Sequence, residues 1–213
     1  MAVQKILKLG NPTLREVAKP IHKFNTLELH QLIEDMKDTM TANNGAGLAA
    51  PQIGILKRVI IFGFKTNSRY PDDDPIPFTI LINPSYEALS PKQNQAWEGC
   101  LSVPGMRGMV PRYQYIKYSG YDLLGKIITR EVKDFHARVF QHELDHLDGN
   151  LYVDKIEDHL SFGFTEELIS AEIIWERPKQ FIFLIKHKKW GINMIFSKSK
   201  KMLTLALLFI TLL

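Results

Sequence analysis

The chain has 213 residues, 45% of them hydrophobic and 23% charged. That is an ordinary globular composition with enough chain to bury a core, and it excludes a disordered or collagen-like polymer. The net charge of +4 is uneven: residues 176–213 hold eight Lys or Arg against one acid, a net +7, leaving −3 on residues 1–175, so nucleic-acid binding has no electrostatic support outside that tail.

Residues 1–10 lack the uninterrupted apolar stretch of a secretory signal. Residues 26–43 place Leu29, Leu32, Ile33, Met36 and Met40 at the three-and-four spacing of one helix face, with Thr26 as N-cap. Asn43, Asn44 and Gly45 end that helix and open a small-residue loop over 45–54. Residues 58–64, 78–83, 114–120 and 127–132 are short, rich in β-branched and aromatic side chains and bounded by turn formers, which predicts strands. Between the first two, residues 65–77 with Asp72-Asp73-Asp74 are expected to be a polar loop and not a metal site, because successive acids on an extended chain point different ways. Residues 121–126 look like a hairpin connection, and 132–147 form a second helix closed by Gly149. Helix, strands, helix, without a βαβ repeat, predicts an α+β fold. The single cysteine, Cys100, rules out an intramolecular disulfide and points to a reducing compartment, the cytoplasm.

The second helix carries His142-Glu143-Leu144-Asp145-His146. Residues four apart on a helix lie one above the other, so His142 and His146 offer two imidazoles to one point and make a chelate for a metal ion. Glu143, one position along, is out of line as a ligand but within reach of a general-base role. The third ligand stays open at this level. Glu157, Glu166, Glu167 or Glu172 would complete a two-His-plus-Glu metallopeptidase, whereas Cys100 would define a different enzyme. An isolated cysteine is more often a small buried apolar residue, yet Cys100 sits in a constrained segment between Trp97-Glu98-Gly99 and Val103-Pro104-Gly105. Residues 45–52 let a backbone pass close to a ligand and end on the Gln52 amide. They lack the Lys-Ser/Thr pair of a phosphate loop, so a nucleotide site is rejected.

Taken together and in order, Gly45-x-Gly47-Leu48-Ala49-Ala50-x-Gln52, Glu98-Gly99-Cys100-Leu101-Ser102 and Gln141-His142-Glu143-x-Asp145-His146-Leu147 resemble the three signature motifs of the peptide deformylases. Pro12-x-Leu14-Arg15 and Ala18-x-Pro20 are similar to that family's amino-terminal segment, and the resemblance runs over residues 6–169. It implies antiparallel β-sheets packed around a central metal-binding helix, with an N-terminal helix; the C-terminal helical and apolar extension departs from the family's pattern and is expected from the sequence alone. It also implies a divalent metal held by Cys100, His142 and His146 with water as fourth ligand, natively Fe2+, with Zn2+, Ni2+ or Co2+ able to substitute. The implied reaction removes the formyl group from the N-terminal formylmethionine of newly made polypeptides and releases formate. Glu143 would carry the proton, and the Gln52 amide and Leu101 backbone N–H would face the oxyanion. The backbone at Gly45 and Gly47 would pair with substrate in strand fashion. Arg107 is placed near the substrate entrance.

The other histidines, His22, His30, His136, His159 and His187, are expected at the surface or as caps, and Asp145 is expected to support the metal helix through Arg112 or Arg138. A catalytic domain is expected over residues 1–175 and an extension over 176–213. The extension ends in the apolar run 202–213, whose helix of about 18 Å is short of the roughly 30 Å of a bilayer core. Packing against the body or a second subunit is favoured for it over transient ribosome contact or a membrane-surface anchor. A metal-stabilised binding module is the non-enzymatic alternative, disfavoured because three protein ligands leave an open position.

Overall fold

The fold is built on two antiparallel sheets and two long helices. The computed structural model describes residues 3–70, 73–171, 173, 183–186 and 193–196, and the chain divides into two compact units, Met1–Thr165 and Glu166–Leu213. In the first unit, helix α1 (Leu27–Ala42) starts where Thr26 accepts the Leu29 N–H and is followed by strand β1 (Gly47–Ala49). Next come β2 (Val59–Phe64), β3 (Ile76–Ala88), β4 (Gln93–Cys100), β5 (Val103–Tyr113), β6 (Tyr115–Tyr121) and β7 (Ile127–Lys133). Helix α2 (Asp134–Leu147) and the short strand β8 (Phe162–Phe164) complete the unit. Helix α3 (Thr165–Ser170) follows, and in the second unit β9 (Phe183–Lys186) pairs antiparallel with β10 (Asn193–Phe196).

The larger sheet has the order β1-β2-β3-β6-β7, the smaller the order β4-β5-β8, and every pairing within them is antiparallel. Strand β2, Val-Ile-Ile-Phe-Gly-Phe, is apolar throughout because both of its faces are covered. Side chains alternate across a strand. Ile60 and Phe62 therefore join one cluster with Phe140, Leu144 and Leu147 of α2, while Val59 and Ile61 join another with Leu29, Ile33, Met36 and Met40 of α1. Helix α2 lies against β1 and β2 of the larger sheet and β5 of the smaller one.

Four differences from the sequence-based expectations have local causes. Strands β4 and β5 fall where only a constrained loop was expected: β4 is polar, and β5 carries Pro104, Gly105 and Pro111. Strand β1 lies inside the expected 45–54 loop, since three residues show no periodicity. Strand β3 starts two residues before 78–83 and runs five past it, with a register irregularity between Ile82 and Ser85. His136 is not a surface or capping residue: its ring packs on Phe62 and Tyr118, and its Nε2 is buried without a hydrogen-bond partner. His187 and most of the 176–213 extension lie outside the described residues.

Candidate metal centre

The site forms where the end of β4 meets the helix α2. Along β4, residues two apart share a face, so Glu98 and Cys100 are both buried towards α2 while Gly99 between them is not. On α2, Ala137, Phe140, Leu144 and Leu147 turn into the apolar core. That leaves Arg138, His142, Asp145 and His146 to meet polar partners.

Cys100, His142 and His146 come together: one ligand atom from each lies within 4.8 Å of the others, and among the described residues no other His, Cys, Asp or Glu joins them. The Cys100 Sγ is 3.3 Å from His146 Nε2 and accepts hydrogen bonds from Ser102 N–H and Gln52 Nε2, each at 3.4 Å. Burial pushes this thiol's pKa up, but the two histidines beside it outweigh burial and hold it well below the ordinary value, which favours the sulfur as a metal donor. His142 donates Nδ1–H to Glu98 Oε2 at 2.8 Å, which leaves Nε2 to face the Cys100 sulfur. His146 Nδ1 is buried without a partner. A thiolate with two imidazoles suits a divalent first-row cation, and three protein ligands keep one position open. The donor set fits such an ion.

Glu98 is the residue that motif reading left without a role. It accepts from Arg112 Nε (2.8 Å) and Nη2 (2.9 Å), from Arg138 Nη1 (2.7 Å) and from His142. Burial raises its pKa, and the Arg112 guanidinium more than reverses this, so Glu98 stays a carboxylate. Arg112 also bonds Asp145 at 2.5 Å, settling the choice between Arg112 and Arg138 for that acid, while Arg138 instead ties Asn94, Ala96 and Val110 backbone carbonyls to α2. The only sequence signal for Glu98 was its position two residues before Cys100.

Glu143 is buried, and burial, as the largest cause, raises its carboxyl pKa to about 7. Its Oε2 has no partner, and its Oε1 lies against Gly47, where a Cβ would come within 2.3 Å of it. Gly47 is thus required by the protein's own carboxylate. At Gly45 a Cβ would be 3.0 Å from Met40 Cγ and 3.1 Å from Leu101 Cδ1, so that backbone is wedged between α1 and the β4–β5 turn. Gln52 accepts from Ala49 N–H at Oε1 (2.8 Å), which turns Nε2 towards Cys100 and Ser102. Gly47, Gln52, Leu101, His142 and Glu143 line one pocket with Cys100. Arg107 stands beside Gly99 with its guanidinium 5.7 Å from the Tyr70 ring centre, and Arg69 approaches the same ring at 5.6 Å. Of the acids a metallopeptidase would need, Glu157 bonds Gln95 at 3.0 Å instead, and Glu172 lies outside the described residues.

Comparison with known proteins covers this whole region. Residues 3–161 match the family model described as polypeptide deformylase. Peptide deformylase 2 of Ralstonia nicotianae is 57% identical over 166 residues, covering 78% of this chain and 94% of that protein. Peptide deformylase 1 of Bordetella pertussis is 55% identical with the same coverage. Among solved structures, the class I type b peptide deformylase of Acinetobacter baumannii bound to Met-Ala-Ser is similar at a TM-score of 0.70 and 39% identity, over 73% of this chain and 99% of that one.

Proposed function

The chain belongs to the polypeptide deformylase family, hydrolases that remove the N-formyl group from newly made polypeptides, and on that premise we propose that Cys100, His142 and His146 hold its divalent metal while Glu143 moves the proton. The observation that carries this reading is the convergence of one cysteine sulfur and two imidazoles beside a buried carboxyl group whose Oε2 has no partner. Bound there, a divalent cation supplies Lewis acidity, polarising a carbonyl and making water more acidic; Fe2+ is our expectation for the native ion, with Zn2+, Ni2+ or Co2+ as substitutes.

Glu143 has the chemistry for a two-way proton carrier. Its pKa near 7 lets it accept the proton of the attacking water and then deliver one to the departing amine of methionine, leaving formate. Gln52 is anchored through Oε1 so that its Nε2 donor faces the reacting side, and with the Leu101 N–H it stabilises the charge that builds on the formyl oxygen. The Gly45–Gly47 backbone, which leads into the edge strand β1, pairs with the substrate main chain, an addition supported by the place of β1 at the end of the sheet order among the described residues. Arg107 belongs to the entrance.

The catalytic domain lies in residues 1–175, in keeping with the family match to residue 161. We place the protein in the cytoplasm on its lone cysteine; no helix among the described residues is long and apolar enough to cross a membrane.

The test is to incubate the metal-loaded chain with formyl-Met-Ala-Ser and with unformylated peptides. Formate release matched by a new methionine amine is the expected result. Internal peptide-bond cleavage without formate would replace this reading with a peptidase.

A further inference from the structure

A ligand imidazole must be fixed in direction, and the ring of His142 has two ways to slip: rotation that carries Nδ1 away from its acceptor, and rocking of its plane about the line to that acceptor. Glu98 prevents the first through the 2.8 Å bond from Nδ1–H. Preventing the second takes a flat surface against the face of the ring. Tyr152 is placed to provide it as an offset, near-parallel neighbour: the two ring centres are 6.1 Å apart with planes 24° from parallel, whereas His146 meets His142 edge-on at 83°. Tyr152 is 1% exposed, and Phe162 backs it edge-to-face at 6.4 Å. The buried Tyr152 hydroxyl has no hydrogen-bond partner, so the ring, and not the O–H, is what the position uses.

We propose that Tyr152 is a positioning residue for the metal centre, holding the imidazole plane of His142 so that Nε2 stays directed at the cation shared with Cys100 and His146. The proposal rests on the metal assignment above. It accounts for the placement of His142 between a charged anchor at one edge and an offset, near-parallel aromatic ring.

The experiment loads the full chain with Co2+ under anaerobic conditions. It records the thiolate-to-cobalt and ligand-field absorption and measures affinity by competition with a chelator. Absence of a thiolate band in the unaltered chain would contradict the metal assignment itself. With that band present, Tyr152→Phe is expected to keep both spectrum and affinity. Tyr152→Leu is expected to shift the ligand-field bands and weaken binding about tenfold, the scale on which support of a ligand acts. Because Tyr152→Leu empties a buried site, Phe162→Leu, which loosens the tyrosine from behind at a half-buried position, is measured beside it and should change affinity in the same direction by a smaller factor. A folded Tyr152→Leu chain with unaltered affinity and bands overturns the proposal. If Tyr152→Leu does not fold, an unaltered Phe162→Leu chain does so. Equal losses in Tyr152→Phe and Tyr152→Leu would assign the role to the hydroxyl and also overturn it.

Discussion

At Glu143 the two carboxylate oxygens have different surroundings: Oε1 is pressed against Gly47, and Oε2 is buried with no partner. Such a group is spare for the fold and suited to a proton in transit, so Glu143→Ala should keep the metal and lose turnover by about 10²–10⁴-fold, measured as formate release beside metal content. Cys100→Ser should lose both, because replacing the thiolate removes the soft donor from the set. Gln52→Ala is expected to lower kcat by about 10²–10³-fold, the usual loss for one oxyanion donor. At this scale the sequence was informative about His142, Glu143 and His146, whose spacing on a helix has a direct geometric meaning. It said little about Glu98, Arg112 and Arg138. Their partnership depends on two strands meeting one helix, and a buried acid looks like any other acid until its guanidinium partners are in place.

Among the elements, α1 was legible because it buries one stripe and starts at Thr26, whereas α2, buried on most sides, was marked by its apolar spacing and the closing Gly149. Strands β4 and β5 were not, since a polar strand and one interrupted by glycine and prolines hide the alternation that marks a sheet. The loss matters, because β4 delivers Cys100. The three-residue strand β1 shows how tightly an element can be tied to the site. In Gly47→Ala the new methyl would fall 2.3 Å from Glu143 Oε1, so either the strand or the carboxylate must move. That variant should bind metal normally but show a reduced kcat and a displaced pH–rate profile. Normal turnover with an unchanged profile would mean that Glu143 is not held by β1.

Across the whole molecule, the proposed ligands come from β4 in the smaller sheet and from α2, which also packs on the larger sheet. A cation that binds only this folded arrangement stabilises it by mass action, so chelation should lower Tm and the fall should grow with the metal concentration of the starting sample. A second global lever is His136, whose burial, with Arg130 nearby, lowers its pKa to about 4. Below about pH 6.5 the unfolded chain takes up a proton that the folded chain refuses. Its contribution to stability is therefore complete above pH 6.5 and lost as pH falls towards 4. Denaturant titrations across that range should show a decline that His136→Gln flattens; an equal decline in both would assign the acid sensitivity elsewhere. The α+β class followed from element order and the antiparallel sheets only from the family resemblance, while the arrangement of strands into two sheets depends on pairings far apart in the chain, which no local pattern encodes. X-ray absorption at the metal edge of the anaerobically loaded chain tests the ligand set most directly. With zinc, one sulfur at about 2.3 Å and two imidazole nitrogens at about 2.0–2.1 Å are predicted, the sulfur disappearing in Cys100→Ser; a shell of nitrogen and carboxylate oxygen with no sulfur would contradict the account.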